Sequence, residues 1–170
     1  MRFHVLATRA IAVAVVGALL ATAAAAGTQK PASATASTKQ LARGQYLVKI
    51  GGCNDCHTPG YFESAGKIPE KDWLVGDELG WRGPWGTTYP VNLRLYMQSL
   101  TEQQWLTVAK TTEMRPPMPW FTLRAVAEAD LKALYQYVRH LGPAGKAANA
   151  YLPPDKEPQP PFVQFPAPPK

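Results

Sequence analysis

The chain's two cysteines stand three apart, and a histidine follows the second at once: Cys53-Asn54-Asp55-Cys56-His57. No other thiol exists in the 170 residues. A disulfide across this spacing would close a very small loop, and such a loop restrains little of the unfolded chain. A thioredoxin-like redox pair belongs in a strand–helix–strand setting, and no such pattern surrounds this segment. A zinc site would need more thiol or imidazole ligands nearby, and there are none. C-x-x-C-H is the attachment pattern for a c-type haem. Two thiols three apart at a helix C-terminus can each form a thioether with a haem vinyl group, and the adjacent imidazole then points at the iron. Covalent attachment also keeps the cofactor in an exported protein, where a lost haem would be diluted away. Cys53 and Cys56 are therefore the expected thioether positions, His57 the proximal axial ligand, and one covalently bound haem c the expected cofactor.

Export is the reading of the first segment. Arg2 and Arg9 make a basic start, and an apolar, alanine-rich run follows to Ala26. Ala24 and Ala26 form an A-x-A cleavage pattern, so residues 1–26 are expected to be a signal peptide cut before Gly27. The rival is an uncleaved anchor, for which the apolar run is short. Either way the remainder is exported, with the periplasm as its expected location. Losing Arg2 and Arg9 leaves 16 basic against 12 acidic residues, a net charge of +4. That modest excess suits steering toward an acidic protein partner. It gives little reason to expect nucleic acid.

Residues 27–38 read as a flexible leader of small and polar residues. Leu41, Tyr46, Leu47 and Ile50 share one face of a helix expected over 39–52. Gly44 in its middle costs about 1 kcal/mol relative to alanine; it is either a tolerated accident or a point of close helix–helix contact, where a side chain would not fit. Residues 57–96, rich in Gly, Pro and aromatics, read as one long ordered loop without strands, organised by a bound group. Thr101 and Gln104 make a capping box, and Leu100 and Trp105 stand at hydrophobic-staple spacing. The helix they start is expected to run to Thr111. Arg115-Pro116-Pro117-Met118-Pro119-Trp120 cannot be helical. A last helix is expected over 124–141, with Leu131, Leu134, Tyr135, Val138 and Leu141 on its buried face and Gly142-Pro143 as its stop. Residues 143–170 hold nine of the 17 prolines and read as an extended tail, parts of which can lie along the domain.

The sixth iron ligand separates electron transfer from ligand binding. Met97, Met114 and Met118 are the candidates. Met118 is preferred because Pro117 and Pro119 fix the backbone on both sides, leaving the thioether little entropy to lose. His57/Met118 ligation fills both axial positions and raises the reduction potential. His140, at the end of the last helix, is expected to interact with the helix dipole and solvent. Trp73, Trp81, Trp85, Trp105 and Trp120 suit packing against a flat apolar cofactor, and an indole N–H could reach a haem propionate. Arg82, Thr87, Thr88, Tyr89 and Asn92 are further propionate candidates.

These residues resemble class I cytochromes c. Gly44-Gln45-Tyr46-Leu47 leading into Gly51-Gly52-Cys53-Asn54-Asp55-Cys56-His57-Thr58 is similar to the haem domains of cytochrome subunits serving membrane-bound alcohol, aldehyde and gluconate dehydrogenases. So are Gly83-Pro84-Trp85-Gly86-Thr87-Thr88-Tyr89-Pro90-Val91-Asn92, Pro117-Met118-Pro119-Trp120, and the helix from Asp130 to Val138. The chain departs in having one haem motif where those subunits usually carry three, in Leu93-Arg94-Leu95-Tyr96 after Asn92, and in Ala127 where the last helix often begins with Ser or Thr. The resemblance covers 39–142. It implies an all-α, cytochrome c-like domain with crossed N- and C-terminal helices around one haem, Gly44 meeting an aromatic such as Tyr135, and His57/Met118 ligation. The function this implies is a periplasmic mono-haem electron carrier rather than an enzyme. Its partners would be redox proteins: a dehydrogenase, other cytochromes or a terminal oxidase. Membrane association is expected only if residues 1–26 stay attached. The alternatives are a dedicated electron-transfer subunit of a dehydrogenase complex and a haem-based ligand sensor.

Overall fold

The computed structural model describes residues 36–166. The signal peptide expected over 1–26, most of the leader and the last four residues of the tail lie outside the described residues. Among the described residues no helix is long and apolar enough to cross a membrane.

Two long helices form the frame. Helix α1, Thr38–Ile50, starts at a capping box: Gln40 N donates to Ser37 Oγ at 3.2 Å, and Ser37 N donates to Gln40 Oε1 at 3.1 Å. Helix α6, Glu128–Leu141, crosses it. At the crossing Gly44 is buried, and an added Cβ would overlap the Ala133 carbonyl and Tyr137 Cβ. The aromatic at this contact is Tyr137, which corrects Tyr135. Ala133 and Tyr137 are four apart and share a helix face, whereas Tyr135 points elsewhere. Tyr135 donates its hydroxyl to the Leu100 carbonyl at 2.7 Å. The Tyr137 hydroxyl donates to Glu70 Oε1 at 2.8 Å, and Gln45 Nε2 donates to Glu70 Oε2 at 2.7 Å. Val48, Leu131, Leu134, Tyr137 and Val138 join Trp73, Leu74, Met97, Trp105 and Leu106 in one core.

Between the two lie α2 (Cys53–His57), a 3-10 turn (Glu70–Asp72), β1 (Gly80–Gly83), β2 (Gly86–Thr88), α3 (Leu93–Gln98), α4 (Glu102–Thr111) and α5 (Trp120–Ala125). The capping box expected for α4 is present: Gln104 N donates to Thr101 Oγ1 at 3.2 Å and Thr101 N to Gln104 Oε1 at 2.8 Å. The helix expected over 124–141 is instead two, α5 and α6. Val126 and Ala127 are extended between them, and the Lys110 ammonium donates to the Arg124 and Val126 carbonyls at 2.8 and 2.6 Å.

The strand-free reading of 57–96 is corrected: the described residues are mainly helical, with one small three-stranded sheet. Strands β1 and β2 form an antiparallel hairpin with Trp81 opposite Thr88 and Gly83 opposite Gly86. A third strand, β3 (Phe162–Gln164), pairs in parallel with β1, in the order β2-β1-β3. Strands of three or four residues that include glycines are too short to show apolar alternation. The tail is tied to the domain. Leu152 bridges to Thr87, and the Asn92 amide donates to the Ala144 and Lys146 carbonyls at 2.8 and 3.0 Å. Arg94 is buried and donates to the carbonyls of Lys71, Leu141 and Gly142.

Candidate functional site

Helix α1 ends at Gly51, and Gly52 turns the chain at φ +65°. This left-handed conformation suits a glycine, and it starts the one-turn helix α2. Cys53 and Cys56, three apart, lie on one side of that turn. Neither is in a disulfide. Asn54 and Thr58 fasten α2 to the core. Thr58 Oγ1 donates to Asn54 Oδ1 at 2.8 Å and accepts from Leu74 N at 2.8 Å, all three residues being buried.

His57 is 8% exposed. Its carbonyl accepts from Gly76 N at 2.9 Å, and its Nδ1 donates to the Val91 carbonyl at 2.8 Å. A carbonyl can only accept, so Nδ1 carries the proton and Nε2 presents its lone pair. Nε2 has no hydrogen-bond partner among the described residues. Burial holds the imidazole pKa below its ordinary value, opposed by the Val91 bond. The ring is thus neutral, oriented and able to bind a metal through Nε2.

The thiols are the reverse of activated. Burial pushes Cys53 up to about 11 and raises Cys56 as well, with Asp55 adding to both. Thiol–disulfide exchange needs a lowered thiol pKa. Among the described residues no three His, Cys, Asp or Glu side chains are grouped to hold a bare ion. Cys53, Cys56 and His57 therefore do not converge on one point as zinc ligands would. Two free thiols and an oriented imidazole on one helical turn are the donor set that a covalently attached haem would use.

Of the methionines, Met97 is 2% exposed and part of the core. Met114 and Met118 are half-buried. Met118 lies on the non-helical stretch between α4 and α5. Thr88 Oγ1 donates to the Pro116 carbonyl at 2.6 Å, so the hairpin that leads to Val91 also holds the approach to Met118.

The five tryptophans divide. Trp73 donates to the Ile68 carbonyl at 2.8 Å and Trp105 to the Leu131 carbonyl at 2.9 Å, both in the core. Trp120 carries the Arg124 guanidinium 4.4 Å from its ring centroid. Trp81 and Trp85 pack on Phe165 with centroids 5.9 and 5.3 Å away. Their indole N–H groups are buried without a hydrogen-bond partner among the described residues, as is the Thr87 hydroxyl. Other propionate candidates are committed elsewhere: Thr88 to Pro116, Asn92 to the tail, and Arg82 to Glu157 at 2.8 Å. His140 is exposed in the last turn of α6. Two cavities, of about 260 and 180 Å³, are lined by Pro59, Val75–Glu78 and Gly145–Ala148, and by residues of α1 and α6 with Glu70. Neither is lined by Cys53, Cys56, His57 or Met118.

Sequence reasoning missed the Val91 carbonyl, the Thr58 link and the tail's hold on the hairpin. Two of these are main-chain contacts, which leave no mark in residue type. No family model matches the chain, and no curated protein or solved structure matches it significantly.

Proposed function

We propose that the chain is a mono-haem c-type cytochrome that carries single electrons between periplasmic redox partners, after export directed by residues 1–26. The observation that carries this reading is His57. It is buried, its Nδ1 donates to the Val91 carbonyl, and its Nε2 has no hydrogen-bond partner among the described residues, directly after two unpaired thiols on a single helical turn. Each thiol would add across a haem vinyl group, sulfur to one carbon and hydrogen to the other, with no oxidant needed. When bound, the haem supplies a one-electron iron couple. The chain's part would be to hold it: Cys53 and Cys56 as tethers, His57 Nε2 and Met118 sulfur as the groups that bind its iron. Trp81 and Trp85 are the donors we assign to the propionates, because their buried N–H groups are without acceptors among the described residues. With an imidazole and a thioether both holding the iron, the group would exchange electrons without binding a substrate.

The test is the visible spectrum of the purified exported protein through a redox titration, with acid–acetone extraction. The expected result is a pigment that resists extraction and titrates as a single one-electron centre. A colourless protein, or a pigment that extracts, overturns the reading. Prompt binding of carbon monoxide by the ferrous protein would favour a ligand sensor instead, and stable co-purification with a dehydrogenase a dedicated subunit.

A further inference from the structure

Three of the five residues in Arg115–Pro119 are prolines, and the segment is gripped at its start from two sides. From β2, Thr88 Oγ1 donates to the Pro116 carbonyl. From the tail, the Tyr151 ring lies under Arg115, with the guanidinium carbon 3.9 Å from the ring centroid. Tyr151 is itself fixed. Its hydroxyl donates to the Trp85 carbonyl at 2.9 Å. The next residue, Leu152, exchanges two main-chain hydrogen bonds with Thr87, at 2.8 and 3.0 Å. Gly86 permits this approach: its φ is +97°, and an added Cβ would overlap the Leu152 carbonyl and crowd the Tyr151 ring. Neighbouring residues of one strand thus hold the tail by main chain and the approach to Met118 by side chain.

We propose that Tyr151 is a positioning residue for the Met118 thioether: by clamping Arg115 against the hairpin, the tail fixes the segment that presents the sixth ligand. The proposal deepens the haem reading and rests on it. A thioether is a neutral, weak ligand, and its occupancy of iron depends on how little freedom it still has to lose. The prolines restrict the backbone inside the segment. Thr88 and Tyr151 fix where that stiff piece stands. A cation held over an aromatic face is a directional contact even where the cation is exposed, as Arg115 is. Loosening it leaves Met118 tethered but no longer aimed.

The experiment compares the full-length holoprotein with Tyr151→Leu, Tyr151→Phe and Phe165→Ala. It reads the methionine-to-ferric-iron charge-transfer band, the midpoint potential, carbon monoxide binding, and amide hydrogen exchange at Met118 and Trp120. Tyr151→Leu is expected to lose most of the band, lower the potential, admit carbon monoxide, and speed exchange at those amides on the order of tenfold. Tyr151→Phe keeps the ring under Arg115 and retains the band. Phe165→Ala disturbs the same tail against Trp81 and Trp85, away from Arg115, and also retains it. An undiminished band and unchanged exchange in Tyr151→Leu overturn the proposal, as does equal loss of the band in Phe165→Ala. If Tyr151→Leu does not accumulate, Arg115→Leu removes the same contact from the other side, with the same two outcomes. A protein without pigment whose Met118 and Trp120 amides still respond to Tyr151→Leu sinks the haem reading and leaves the clamp standing.

Discussion

The α1–α6 crossing and the hairpin–tail assembly are held together in different ways. The crossing is an apolar contact between long helices, made close by one glycine and completed by Tyr137, Leu131 and Val138. The hairpin–tail assembly has three short strands, joined by main-chain hydrogen bonds and by Phe165 lying on two tryptophans. Helix contacts of the first kind are cooperative with the whole fold. Pairing of the second kind can open locally, because fewer buried apolar groups depend on it. The site takes something from each. His57 sits on α2, tied to the core through Thr58, while the carbonyl that orients it and the grip on Met118's approach come from the hairpin side.

The largest effect should come from Gly44→Val. The added side chain meets a backbone carbonyl and Tyr137 Cβ, which cannot step aside without parting the helices. A loss of about 3 kcal/mol is expected from such overpacking, read as a lowered midpoint in urea with all probes moving together. Retained stability would mean that the crossing is not the cooperative unit.

Thr58→Val comes next and tests the junction between the regions. The shape is kept, but Leu74 N and Asn54 Oδ1 lose their buried partner. Leaving buried polar groups unmatched costs about 1–3 kcal/mol. Because α2 hangs on this hydroxyl, exchange at the amides of α2 should rise more than exchange in α6. Uniform acceleration would assign Thr58 to the core alone.

Gly86→Ala should be smaller and local. A residue other than glycine at positive φ costs about 1–2 kcal/mol, and the clash with the Leu152 carbonyl is relieved if the tail lets go. Limited proteolysis should then cut between 143 and 161 while far-UV helicity is retained. Loss of helicity together with the tail would erase the distinction between the two regions.

The same distinction governs what the sequence disclosed. Helix α4 was legible because its start is written in neighbouring residues, Thr101 and Gln104. The cost of Gly44 in a helix marked the position without choosing between an accident and a close contact, and its partner was not legible. Which of Tyr135 and Tyr137 faces α1 depends on how α6 is rotated, and the break at Val126 shifts where that helix begins. Cys53, Cys56 and His57 are legible because the attachment chemistry we propose would demand fixed residue types at fixed spacing. The Val91 carbonyl is invisible because any residue would supply it. The pairing of Trp81 with Val163 joins residues 82 apart through main-chain atoms, and no local pattern encodes it.

The smallest effect bears on the helix pair from outside. Arg43 donates to both carboxylate oxygens of Asp130 at 2.8 and 2.9 Å, bridging α1 and α6 on their exposed side. This hydrogen bond, with the guanidinium charge, holds the Asp130 carboxyl below its ordinary pKa. A depressed folded-state pKa contributes stability above the unfolded value, and that contribution is lost as pH falls through the folded one. The gap between the natural chain and Asp130→Asn should therefore be present at neutral pH and close in acid, below the folded-state pKa of Asp130. It should also shrink with added salt, because both groups meet solvent. A gap that persists in acid and in salt would show that Asp130 acts through packing, and the α1–α6 contact would then owe more to its rim than to the glycine at its centre.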